Sequence, residues 1–215
     1  MSFTIADVLL EVRDQISDTM VPYRYSDASM IRKINQVISR MAILRPDLFT
    51  TIATISCTAG GLQTAPVDSL RIMDVLGNNT GAAVKEVSQD VLDMMIPTWE
   101  TLPPGPAINW MRYPRDQNRF YVAPAATAGL ALTISYARSP ATLALDDIVP
   151  LQDAYKPTVT DGSVWIMESI DAENVESGRA KMFQDSFNSM LSAGLTARRL
   201  TDTSSAALPR DEVIQ

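Results

Sequence analysis

Residues Asp146 to Leu195 read DDIVPLQDAYKPTVTDGSVWIMESIDAENVESGRAKMFQDSFNSMLSAGL, and the way this stretch folds decides how the rest of the chain is arranged. Leu151, Tyr155, Val159, Gly162 and Ile166 recur at steps of three and four, which places them on one helical face. Val175, Arg179, Phe183, Phe187, Leu191 and Leu195 follow at a strict spacing of four, with Met182 and Met190 widening the stripe. Two such helices, broken near Asp171, are expected to fold back as an antiparallel pair with a shared apolar seam. Neither buries its face alone, so the two amphipathic segments at the N-terminus are the natural cover. No catalytic constellation lies on the pair, which directs the search for function towards assembly.

The N-terminal segments carry clear start signals. Thr4-Ile5-Ala6-Asp7 fits a capping box, and Ile5, Val8, Leu9, Val12 and Ile16 form the stripe of a helix ending near Ser17. Val21-Pro22-Tyr23-Arg24-Tyr25 reads as a loop and Ser26 as the next N-cap. Met30, Ile34, Val37, Ile38 and Met41 then mark a helix that stops near Leu44, ahead of Arg45-Pro46.

From Phe49 the period changes. Thr51 to Thr58 reads as a strand, Ala59-Gly60-Gly61 as a turn, and Leu62-Gln63-Thr64 as the return. Leu70 to Leu76 is a further strand, and Ser88 caps a short helix through Val91, Leu92 and Met95 that Pro97 stops. Thr98 to Pro106 holds three prolines and a glycine and is expected to be an exposed loop. Strands over Ile108 to Tyr113, Arg119 to Val122 and Leu130 to Ala137 complete a small antiparallel sheet or barrel. The fold class is therefore α+β. Helices at 1–48 and a helical hairpin at 146–198 form a bundle around a β-rich insertion at 49–145, followed by an extended tail at 199–215. From Thr201 that tail is small and polar, and is expected to be ordered only against a partner.

The 215 residues suit one domain, or one with an insert. A chain of this size buries roughly 70% of its unfolded surface and needs no disulfide or metal for stability. The single cysteine, Cys57, excludes an intrachain disulfide and points to a reducing compartment. A basic start to Met1–Leu10 is missing, as is any apolar run of about 18 residues, so neither a signal peptide nor a membrane span is expected. Histidine is absent, which removes the commonest general base, metal ligand and partner of a nucleophile. A net charge of −7 opposes general binding to phosphate backbones.

The remaining candidates weigh against chemistry. The acidic run of Asp146, Asp147, Glu168, Asp171, Glu173 and Glu176 lacks a calcium-loop spacing and suits a solvated face that would repel DNA. Asp90 and Asp93 lie one turn apart, and charge compensation at a helix N-terminus accounts for both. Gly60-Gly61 has no phosphate-cradle context. Arg112, Arg115 and Arg119 interleave with Trp110, Tyr113, Phe120 and Tyr121. Stacking on single-stranded nucleic acid is one reading of that cluster, and a packed core with arginines facing a neighbouring subunit is the other. Cys57 reads as a small buried hydrophobe. Arg198 and Arg199 suit the negative end of the last helix.

Four segments in order carry a family resemblance: Leu44-Arg45-Pro46-Asp47-Leu48-Phe49, Asn118-Arg119-Phe120-Tyr121-Val122-Ala123-Pro124, Tyr136-Ala137-Arg138-Ser139-Pro140, and Asp147 through Tyr155. Across about residues 26–195 the chain resembles the head-to-tail adaptor (connector) proteins of tailed bacteriophages. The resemblance implies a virion structural protein that forms a dodecameric ring, assembled in the host cytoplasm, beneath the portal protein. The opposite end of such a ring receives a tail tube or nozzle, and genomic DNA passes through without specific binding. It implies no catalytic residues, cofactor, metal or membrane. Portal docking would fall to the C-terminal segment, with Arg198, Arg199, Leu208, Pro209, Val213 and Ile214. The acidic residues above become candidates for the channel wall, and Arg112, Arg115 and Arg119 for contacts between subunits. The alternatives are a DNA-binding or packaging accessory protein and, further off, a metal-dependent hydrolase built on Asp146 and Asp147.

Overall fold

The structure is a computed structural model that describes residues 2–78, 80–170 and 177–205. It separates into a helical unit, residues 1–44 and 142–215, and a β unit, residues 45–141.

In the helical unit, α1 (Ile5–Gln15) begins at the expected capping box. Thr4 Oγ1 accepts from the Asp7 amide at 3.2 Å, and Asp7 Oδ2 accepts from the Thr4 amide at 2.8 Å. The helix ends in a Schellman turn: the Ser17 amide donates to the Asp14 carbonyl and the Asp18 amide to the Arg13 carbonyl. Ser17 takes the left-handed position (φ 58°) that glycine usually fills.

Arg13, fully buried beside Val12, organises the turn that follows. Its guanidinium donates to Asp18 Oδ2 at 2.6 Å, to the Tyr25 carbonyl at 3.0 Å and to Asp27, and lies 3.8 Å from the centre of the Tyr23 ring. Asp18 in turn accepts from the amides of Arg24 and Tyr25. The loop is thus wound around a buried ion pair, which the periodicity did not reveal.

The second helix, α2 (Asp27–Leu44), buries Met30, Ile34, Val37, Ile38 and Met41 as expected. Asn35 ties it to the returning chain: its side chain donates to the Leu143 carbonyl at 3.0 Å and accepts from the Leu143 amide at 2.8 Å. That returning segment runs along the start of α1, where the Ile5 amide donates to the Asp147 carbonyl.

The hairpin that decides the fold forms between α4 (Lys156–Ile170) and α5 (Ser177–Ser205). Its register is antiparallel: Thr158 meets Met190, Asp161 meets Ser186 at 2.6 Å, and Glu168 meets Arg179 at 3.5 Å. Phe187 and Leu191 are buried as the stripe requires, and Met190 widens the seam by its contact with Thr158, whereas Met182 is exposed. Leu151 and Tyr155 precede α4, the latter in a 3-10 turn. Val175 and the Leu195 side chain lie outside what is described. The helices pack tightly at Gly162, where a β-carbon would stand 2.7 Å from Val37 and 2.8 Å from Phe187. Three helices meet over one hydrogen atom. The last helix continues to Ser205, beyond the point where the extended tail was expected to begin.

The β unit holds two sheets. Strands β1 (Thr50–Ser56), β7 (Ala131–Arg138) and β3 (Ser69–Asn78) form one, in the order β1-β7-β3. Strands β2 (Gly60–Thr64), β6 (Arg119–Ala126), β5 (Asn109–Arg112) and β4 (Lys85–Glu86) form the other, in the order β2-β6-β5-β4. Trp110, Phe120, Val122, Ile72, Val75, Leu132 and Ile134 share one core drawn from both.

Three expectations are corrected here. The β1–β2 hairpin does not form, because β1 pairs along its whole length with β7, from Thr50↔Ala137 to Ser56↔Ala131. The glycine turn instead carries the chain to the other sheet. Gln63, buried, locks that corner by bonding the Thr58 amide and the carbonyls of Thr58 and Gly60. Next, the sheets are not wholly antiparallel, since β4 runs parallel to β5. Finally, the segment from Thr98 is not simply exposed. Trp99 is buried and, with α3 (Gln89–Met95), covers Met111 and Ala123 on the outer face of β5 and β6.

Candidate assembly surfaces

Residues that could grip another molecule must be exposed and not already committed inside the fold. Arg112 fails the second condition. Its Nε donates to Glu86 at 2.7 Å, Nη1 to the Ile72 carbonyl at 2.8 Å, and Nη2 to the Met73 carbonyl at 2.7 Å. It therefore staples β5 and β4 to β3, one sheet to the other. Arg119 pairs with Asp116 at 3.4 Å. Arg115 is exposed in the turn between β5 and β6 and makes no side-chain bond among the described residues.

The aromatic partners of these arginines are largely internal. Trp110 and Phe120 are fully buried and meet edge to face, with centroids 6.3 Å apart. Tyr121 packs edge to face against both Trp99 and Tyr113. No row of open rings stands ready to stack on bases, as single-strand binding needs. This favours packing over nucleic acid for the cluster.

Among the acidic candidates, Asp146 and Asp147 are exposed. The Asp147 carboxylate accepts from the Ala144 amide at 2.7 Å, so it closes the turn that lies beside the start of α1. Glu168 is mostly covered and pairs with Arg179. Asp171, Glu173, Glu176, Leu208, Pro209, Val213 and Ile214 lie outside the described residues, as do the side chains of Arg198 and Arg199. Among the described residues no three or more Asp, Glu or Cys converge on a point that could hold a metal ion.

The other reactive groups are structural. Burial pushes the Cys57 thiol up, which keeps it protonated. Burial, then the neighbouring Asp68 carboxylate, pushes the Tyr136 phenol up; Arg138, 2.7 Å from Asp68, opposes this. Asp93, read above as charge compensation, accepts from Trp99 Nε1 at 2.7 Å and so fixes the lid over the sheet.

Every polar group followed so far supports the fold or faces solvent. Residues 3–210 match the SU10 adaptor proteins. The chain belongs to that family. SU10 adaptors are phage head-to-tail adaptors, and the match runs through both the helical unit and the β unit. None of the curated proteins compared with the chain matches it. No described helix is long and apolar enough to cross a membrane. Membership carries a structural adaptor role in the phage particle, with portal and tail proteins as the general class of partner.

Proposed function

We propose that this SU10-family adaptor acts as one subunit of a closed, dodecameric ring between the portal and the tail, and that the ring lets the genome pass without holding it. The observation that carries this reading is the family match over residues 3–210, which spans nearly the whole chain. A closed ring needs heterologous lateral contacts that return by rotation. A charge of −7 per copy, repeated around the ring, gives a negative particle that repels phosphate. Exposed Asp146 and Asp147 are the channel-wall residues in this reading. Arg115 and Arg119 remain contacts to a neighbouring subunit, while Arg112 holds the β unit together.

Docking to the portal is assigned to the end of α5 and the residues after it, through Arg198, Arg199, Leu208, Pro209, Val213 and Ile214. Mixing purified adaptor with purified portal and imaging by negative stain tests the reading. Rings stacked on the portal are expected. An adaptor that stays monomeric beside its portal would contradict it.

A further inference from the structure

Two outward helix faces in the helical unit are complementary in charge and in length. On α1, Asp7, Leu10, Glu11 and Asp14 lie opposite the buried stripe of Val8, Leu9 and Val12. This face is acidic with one apolar residue at its centre, and Leu10 is 62% exposed. On α2 the outward face carries Arg32, Gln36, Arg40 and Ile43, the last 70% exposed. After Asp27, already bonded to Arg13, α2 contains no carboxylate, and Lys33 adds to its positive charge.

The spacings agree. Asp7 and Asp14 are separated by about 10 Å along α1, and Arg32 and Arg40 by about 12 Å along α2, at 1.5 Å per residue. Lys156 pairs with Glu11 and cancels its charge, so Asp7, held by Thr4, and Asp14 carry the net charge of the α1 face; on α2, Arg40 lies over the Trp165 ring at 5.0 Å.

We propose that the acidic α1 face of one copy docks on the basic α2 face of the next, with Leu10 against the stem of Gln36, midway between Arg32 and Arg40, and Ile43 at the end of the contact. The occupant is a second copy because one chain carries both complements. DNA would take the basic face alone and leave Leu10 and the carboxylates unanswered. Each copy offers one face of each kind, so the contact is heterologous and propagates head to tail. Complementary charge sets its register and disfavours contact between like faces. The inference rests on the ring reading and adds the surfaces that close it.

Two reversed variants test it: Arg32→Glu/Gln36→Glu/Arg40→Glu on α2, and Leu10→Lys/Asp14→Lys on α1. All five positions are exposed, and none makes a side-chain hydrogen bond or ion pair among the described residues, so folding is retained; circular dichroism checks this. Each variant with portal is expected to lose rings, since its two faces then carry the same sign. An equimolar mixture restores opposite signs at every contact and is expected to recover rings in alternating order. Rings from either folded variant alone, or no recovery in the mixture, overturn the proposal. Retention of DNA lost in the α2 variant with its rings intact would assign that face to nucleic acid instead. A wild-type chain that forms no ring defeats the ring reading itself, a separate outcome.

Discussion

Single residues set the tolerances of this fold. Gly162 lets α2, α4 and α5 meet, and its missing side chain is a requirement of space, because any β-carbon would overlap Val37 and Phe187. Replacing Gly162 with Ala is expected to cost about 1–3 kcal/mol in urea unfolding, the usual result of overpacking a close contact. Arg13 is the second such point. Removing its guanidinium in Arg13→Ala leaves Asp18 buried and unpaired, at an expected cost of about 3–5 kcal/mol. The double variant Arg13→Met/Asp18→Asn should recover part of that loss in the same measurement, since no buried charge is then left alone.

Asp7 gives a signed pH prediction. Hydrogen bonds from the Thr4 backbone and hydroxyl hold its carboxyl below the ordinary value of 3.8. A folded value below the unfolded one means that the capping contribution is fully present above 3.8 and is lost as pH falls through the depressed value. The difference in Tm between the wild type and Asp7→Asn should therefore be constant near neutrality and shrink below about pH 4, where even an ordinary Asp is protonated. A difference that grows on acidification would contradict the capping role.

At the scale of elements, local signals and distant pairings part company. Helix α1 and its cap and the stripe of α2 were legible because each is specified by residues within two turns of one another, and the α4–α5 hairpin because only a short break separates its two helices. Strand β1 was legible as a strand, yet its partner was not. Alternation fixes which face is buried, and nothing local to Thr50–Ser56 names a partner some 80 residues away. Gly60-Gly61 reads as a hairpin turn for the same reason, while the buried Gln63 that makes it a corner between sheets has no periodic signature.

Trp99 was hidden by its prolines. The proline-rich segment suggests exposure, but the apolar outer face of β5 and β6 requires cover, and Trp99 supplies it. Trp99→Ala is expected to lower stability by about 3–5 kcal/mol, as for other large buried aromatics. Hydrogen exchange should then rise first at Met111 and Tyr121. Equal protection in the variant would show that α3 covers the sheet without the indole.

For the whole molecule, the sequence excluded more than it specified. The missing histidine and the lone buried Cys57 narrowed the chemistry, while the order of four short segments pointed to the family that residues 3–210 match. The candidate surfaces were less legible, because a sequence shows that an arginine is present and not where its bonds go. Arg112 looked available and is held by Glu86 and two carbonyls of β3. Arg32 and Arg40 do not stand out in the sequence beside the apolar stripe of α2, yet they give that helix its outward charge.

The central claim is that many copies act as one ring. It is tested most directly by counting adaptor against portal in purified phage particles by quantitative mass spectrometry. Equal copy numbers of the two chains are predicted; a single adaptor per particle would contradict the account.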